Sequence, residues 1–283
     1  MKTILVPTDF SKHAQWALQM AVKIAKKAKS KILLLHIVEH PIADSFNVEG
    51  QIAVDQGWED KLFTLKLLEQ GRAKLTEAAD ALYNEGVDVR VALRMGNPFH
   101  GIRTEIVEQE AELVVMGASG HSTFDELTRG SNSDKVVRYA KCPVLTVHEE
   151  PGDQPFKDIV YATSLADREK DFGHVVKRLQ ELFGSNVHLV RINTPMNFQP
   201  DHMVKSAMIQ FAKKLVLQNY TLNMVSDWDE ENGIIHFAST ISASLICMAT
   251  HGYRGLSHIF IGSIAEDVVK HTTRPVLTYV MKN

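Results

Sequence analysis

Apolar positions along this chain fall into two alternating rhythms. A short run, "TILVP" from Thr3 to Pro7, is followed by Ala14, Leu18, Ala21, Val22 and Ala25 at helical spacing. That spacing predicts a strand and then a helix over about Lys12 to Lys29, with Ser11 as its N-cap. "KILLLHIVE" is a continuous apolar run, as in a strand buried on both faces. A long helix is predicted from about Asp60 to Glu85, stopped by Gly86. "VDVRVALRM" alternates and reads as a strand, and "PFHGIRTEIVEQE" as a helix with Pro98 in its first turn. "AELVVMG" is a strand, "GSNSDKVVRYA" opens a helix, and "PVLTVHE" is the last strand of the series.

The series then repeats. Gly120 and Gly252 lie 132 positions apart, as do Gly130 and Gly262, Ser131 and Ser263, and Pro143 and Pro275. The starts match at a different offset, 155, which aligns "ILVPTDFSKHA" with "IVYATSLADRE" and "KILLLHIV" with "NVHLVRIN". Four matches at one offset are hard to reach by chance. The second copy predicts strands at Asp158–Ala162, Val187–Ile192, near Thr221–Val225, at Leu245–Met248 and at Val276–Val280. Its helices are expected at Asp167–Phe183, about Asp201–Leu217, near Gly233–Ser239 and from Ser263. The offsets differ by 23, so the first copy carries about that many extra residues between Glu39 and Leu68, in a stretch that looks irregular. Phe46, Trp58 and Phe63 lie there. They suit a lid, a partner patch, or a surface insertion with its aromatics packed on the domain. The polar "HEEPGDQPFKD", residues 148 to 158, has the composition of an exposed linker.

Strands alternating with helices imply parallel sheets with helices on both faces. The expected architecture is α/β: two tandem Rossmann-like domains, residues 1–148 and 156–283, each with a five-stranded parallel sheet.

Composition narrows the function classes. Apolar residues make up 45% and charged residues 23%, with a net charge of −3. No basic face for nucleic acid is visible. Lys23, Lys26, Lys27, Lys29 and Lys31 fit the solvated side of one helix. Two cysteines, Cys142 and Cys247, sit in apolar runs outside any metal-ligand spacing and read as buried free thiols. Asp9 comes too early for a signal peptide, and no apolar run is long enough for a membrane span. A cytoplasmic location without membrane partners is expected.

In an open parallel sheet, ligands bind beyond the carboxyl ends of the strands. Gly117 and Gly120 follow directly on the strand ending at Met116, and a glycine there lets a ligand approach the backbone. Gly130-Ser131 opens a helix, whose N-terminus suits phosphate. Glycines also end strands and serines also cap helices, so both readings stand. No Walker motif, nucleophile elbow or kinase loop is present. The thirteen histidines include His36 and His40, four apart, but strand spacing does not bring them together on a metal.

The spacing Gly117-x2-Gly120-x9-Gly130-Ser131, with "ILVPTDFS", "VVMGASG" and "CPVLTV", resembles the universal stress protein family over nearly the whole chain. The resemblance implies two tandem Rossmann-like domains of the adenine nucleotide alpha hydrolase-like kind and binding of ATP or ADP, with Mg²⁺ held through the phosphates. It also implies pairing through the last strands, so that the tandem chain is a dimer made covalent; a further homodimer stays open. By the same resemblance, Pro7 and Thr8 would shape the adenine pocket and Asp9 would face the adenosine end. Val38 would offer backbone hydrogen bonds to adenine, and Gly96 would turn the chain near the base. Met116 and Gly117 would line the ribose, and Gly120, Gly130, Ser131 and Asn132 would hold the phosphates.

The second copy departs from the pattern. Asp9 aligns with Ser164 and Gly117 with Ala249, while His251, Gly252, Gly262 and Ser263 remain. Copy one is therefore expected to bind nucleotide. Copy two binds weakly, binds something else, or is structural. The expected function is a regulatory, ATP-binding stress-response module. Slow ATP hydrolysis, with His121 or Asp125 as the loop candidates for a base, and a scaffold without nucleotide are the alternatives. A Gly117→Val change is expected to abolish nucleotide binding with little effect on folding.

Overall fold

The computed structural model describes residues 1–39, 58–118, 132–251 and 264–281. The first copy runs β1 (Thr3–Pro7), α1 (Lys12–Ala28), β2 (Lys31–Val38), α2 (Trp58–Asn84), β3 (Val89–Met95), α3 (Pro98–Glu108), β4 (Leu113–Gly117), α4 (Asn132–Tyr139) and β5 (Val144–Val147). The second runs β6 (Asp158–Ala162), α5 (Lys170–Phe183), β7 (Asn186–Asn193), α6 (Asp201–Lys214), β8 (Tyr220–Ser226), α7 (Glu230–Thr240), β9 (Leu245–His251), α8 (Ile264–His271) and β10 (Val276–Met281).

All ten strands join one sheet in the order β3-β2-β1-β4-β5-β10-β9-β6-β7-β8. Pairing within each half is parallel; β5 and β10 meet antiparallel at the centre. Leu145 pairs with Leu277 there. On either side, Thr146 Oγ1 donates to Val276 O at 3.2 Å and Thr278 Oγ1 to Val144 O at 3.3 Å. Thr146 and Thr278 are repeat equivalents, so the seam is isologous: each half gives the other the same contact.

Inner strands are covered on both faces, which is why they read as unbroken apolar runs. Ile4, Leu5 and Val6 have no exposed surface. On one face a single core runs through both halves, from Met20 and Ile24 of α1 to Phe172 and Val176 of α5. Phe172 and Tyr279 stack there with centroids 5.9 Å apart. The opposite face holds a separate core in each half, under α3 and α4 and under α7 and α8. Burial pushes the Cys142 thiol up to about 12 and raises that of Cys247, so both are inert free thiols.

Five sequence expectations change. The end of the insertion is regular: Trp58 starts α2, which runs for 27 residues where α6 has 14. Trp58 and Phe63 are exposed, so these two aromatics do not pack on the domain; Phe46 lies outside the described residues. Helix α7 starts at Glu230 because Asp229 caps it, accepting from Asn232 N at 2.8 Å. The second copy lacks the serine cap, since Ala166 replaces Ser11, and its helix opens with a tight 3-10 turn over Asp167–Glu169. Finally, the connection between the halves is not uniformly exposed. His148 and Phe156 are buried, with Phe156 4.5 Å from the Phe183 ring.

Candidate functional site

In the order 3-2-1-4-5 the direction of winding reverses between β1 and β4, and the crevice at their carboxyl ends is the topological switch point. Pro7 ends β1, Val38 ends β2, and Met116 and Gly117 end β4. Asn132 is the first residue of α4. The described members of the candidate set thus share one edge of the sheet. Gly120, Gly130 and Ser131 lie outside the described residues, as do His121 and Asp125.

The loop after β1 is held from several sides. Thr8 N donates to Leu35 O at 2.8 Å, and Phe10 N donates back to Thr8 Oγ1 at 3.0 Å. Phe10 takes a left-handed backbone, φ 65°. Asp9 Oδ1 accepts from Ser11 N at 2.9 Å, and Ser11 Oγ caps α1 by accepting from Ala14 N at 3.3 Å. Ring nitrogen Nδ1 of His36 stands 2.8 Å from Thr8 O. A carbonyl only accepts, so Nδ1 carries the proton. Phe10 leans on the His36 ring with centroids 4.6 Å apart, and Lys74 Nζ lies over Phe10 at 5.2 Å. His36, set aside as a metal ligand, is a brace for the loop. Its place in an apolar strand gave no sign of this.

Two donors of this loop stay open. Among the described residues, neither the Asp9 N–H nor the Thr8 hydroxyl proton has an acceptor. Val38 is buried, and its carbonyl accepts from Gly96 N at 3.0 Å, with Gly96 at φ 118°. Gly96 turns the chain as expected of a glycine at positive φ.

Gly117 also has a packing role that its sequence does not show. A Cβ built on it would stand 2.5 Å from His13 C, 2.7 Å from His13 O and 2.8 Å from Ala14 N. These are backbone atoms of α1, which cannot give way as a side chain can. Gly117 is therefore required by the close approach of α1 to β4, and its replacement by valine, expected to spare folding, instead strains the fold. Beyond it, Ala118 N donates to Val147 O at 3.0 Å.

His148, directly after β5, is buried with neither ring nitrogen hydrogen-bonded. Burial, helped by the nearby His13, brings its pKa down to about 4, so it is neutral near pH 7. Its polar neighbours in the sequence give it the look of a linker residue.

The same edge of the second half is more polar and more filled. Asn193 replaces Val38 and is buried, its Nδ2 donating to Gln199 O at 3.1 Å. Ser164 replaces Asp9 and bonds Glu169, which is itself buried. Ala249 stands in place of Gly117 where the helix opens with the 3-10 turn, so the added methyl coincides with a rebuilt helix start. Gly252, Gly262 and Ser263, and the side chain of His251, lie outside the described residues.

The helices that follow the two glycine loops are tied together. Arg138 of α4 forms a two-pronged pair with buried Glu266 of α8, with Nε 2.7 Å from Oε1. Lys270 of α8 approaches Asp134 of α4 at 3.7 Å. Arg138 and Lys270 are repeat equivalents, as are Asp134 and Glu266, so this contact also obeys the two-fold. Among the described residues no group of three or more His, Cys, Asp or Glu is arranged to hold a metal, and no helix is long and apolar enough to cross a membrane. A surface concavity lined by Ala25, Lys29, Ser30 and Val87 lies at the opposite end of the strands and holds none of these groups.

Comparison with known proteins agrees with the fold. The sequence model of the universal stress protein family matches residues 1–148 and again 155–279. A Staphylococcus aureus relative assigned to the universal stress proteins is 29% identical over 169 residues, covering 59% of this chain and 96% of its own. The structure of a universal stress protein from Archaeoglobus fulgidus superposes with a TM-score of 0.78 at 18% identity, covering 99% of this chain and 97% of that one. One from Pseudomonas aeruginosa gives 0.69 at 18% identity, covering 99% and 94%.

Proposed function

Because this chain belongs to the universal stress protein family, we propose that its first domain, residues 1–148, is an ATP-binding regulatory module of the stress response. The second, residues 156–283, serves as its fixed partner. Pro7, Thr8 and Asp9 meet the adenosine end, with Val38 at the base and Met116 and Gly117 beside the ribose. Gly120, Gly130, Ser131 and Asn132 take the phosphates, which carry Mg²⁺ with them.

The observation that carries this reading is the open pair of donors on the β1 loop. The Thr8 hydroxyl and the Asp9 N–H stand at the switch-point crevice, on a loop braced by His36, and have no acceptor among the described residues. Polar groups fixed in this way beside a crevice suit a polar ligand with acceptor atoms. A braced loop also loses less freedom on binding. The test is mass spectrometry of small molecules released from protein purified without added ligand. About one ATP or ADP per chain is expected. Protein that carries none, and takes none up from ATP with Mg²⁺, would overturn the proposal.

A further inference from the structure

The loops after β1 and β6 share one construction. Phe10 N donates to Thr8 Oγ1 at 3.0 Å, and Leu165 N donates to Thr163 Oγ1 at 2.9 Å. Phe10 and Leu165 both have φ of 65°. In the first domain the remaining donors of this loop are open. In the second they are taken. Thr163 Oγ1 donates to Glu169 Oε2 at 2.5 Å, Ser164 N donates to Glu169 Oε1 at 3.0 Å, and the Ser164 hydroxyl closes on the same oxygen. Glu169 is only 2% exposed. The repeat aligns it with Ala14, whose methyl group can make none of these bonds.

We propose that Glu169 is a built-in ligand of the second domain: its carboxylate occupies the donors that receive nucleotide in the first domain, and so excludes nucleotide from the second. The inference rests on the first domain being the nucleotide site. The chemistry favours it on two counts. A buried carboxylate with three donors is held by charge-assisted bonds, and a ligand entering must break them. An incoming adenosine would also meet the Glu169 side chain where the first domain has only the Ala14 methyl group. The Tyr161 hydroxyl is buried, and burial, and then the charge of nearby Glu169, raise its pKa. The rebuilt helix start brings Glu169 to this position, since it ends the 3-10 turn that replaces the first turn of α1. Domain 2 is therefore closed by a side chain of its own.

The experiment is titration with ATP and Mg²⁺, read as moles bound per chain, for the wild type, Glu169→Ala and Glu169→Gln. Glu169→Ser, whose short polar side chain does not reach the loop donors, replaces the alanine variant if that does not fold. The expected result is one equivalent for the wild type and two for the shortened side chain; the glutamine variant, which keeps the length but loses the charge and one acceptor oxygen, takes its second equivalent more weakly than the shortened variants do. One equivalent throughout, in folded protein, would overturn the proposal and leave the first domain's assignment intact. No binding by the wild type but one equivalent in the shortened variant would overturn that assignment and keep Glu169 as the plug. No binding by any of them would overturn both.

Discussion

A methyl group added to Gly117 would stand 2.5 Å from the carbonyl carbon of His13. The last residue of β4 and the first turn of α1 thus touch backbone to backbone, at the point where a nucleotide site is proposed. Gly117→Ala is expected to lower stability by about 2 kcal/mol, in the range of overpacking, and Gly117→Val by more. Urea denaturation checks this. An unchanged midpoint for the valine variant would mean that α1 moves away freely. Loss of ATP binding in these variants is then no evidence about ligand contacts.

His36 offers a cleaner way to perturb the loop. It holds the Thr8 carbonyl through one hydrogen bond at 2.8 Å. His36→Leu keeps an apolar body in the strand and removes the bond. Stability should fall by about 1 kcal/mol, the ordinary net worth of such a bond. ATP affinity should fall roughly tenfold, about 1.4 kcal/mol, as the loop loosens. Calorimetry beside a denaturation curve separates the two. Equal affinity would show that the loop needs no brace.

Acid sensitivity should trace to His148. Its pKa is about 4 in the folded chain because burial disfavours the charged ring, against about 6.5 when unfolded. The unfolded chain therefore binds more protons between these values, and stability rises with pH across the window. The neutral ring's contribution is complete above pH 6.5 and is lost as pH falls toward 4. Between pH 7 and pH 5 the loss is on the order of 2 kcal/mol. His148→Leu should flatten this slope and be the more stable protein at pH 5. Parallel slopes for the two proteins, from denaturation at pH 5, 6 and 7, would contradict the assignment.

The two repeat-related ion pairs should differ in worth. Glu266 is 3% exposed, while Lys270 and its partner Asp134 are 42% and 15% exposed. Arg138→Ala leaves a buried carboxylate without its main partner and should cost about 3 kcal/mol. Lys270→Ala should cost about 1 kcal/mol or less, because the contact is long at 3.7 Å and the lysine keeps much of its water. Thermal denaturation of both variants decides it. Similar losses would mean that the seam does not distinguish its two pairs.

Much of the fold was legible because burial on both faces writes itself as unbroken apolar runs, as in β1 and β2, and because the repeat could be read at two offsets. The carboxyl-edge location of Pro7, Thr8, Asp9, Val38, Met116, Gly117 and Asn132 was legible for the same reason. Other features were hidden by the ambiguity of single residues. A glycine that admits a helix looks like one that admits a ligand, so the need for Gly117 in the approach of α1 to β4 was hidden. Glu169 sits in a run of charged residues where a solvated helix start is the ordinary reading, and only the backbone turn aims it inward. His148 and Phe156 are flanked by polar and turn residues, and their burial depends on elements far away in the chain. His36 acts through a carbonyl, a partner that no side-chain pattern records.

The most direct test of the central claim is calorimetric titration of the intact chain with ATP and Mg²⁺, beside Thr8→Val, which removes one of the two open donors on the β1 loop together with the acceptor of Phe10 N. The predicted result is one site per chain in the wild type and affinity lowered about tenfold in the variant. No site, two sites, or a variant that binds as tightly as the wild type would contradict a single nucleotide site built on that loop.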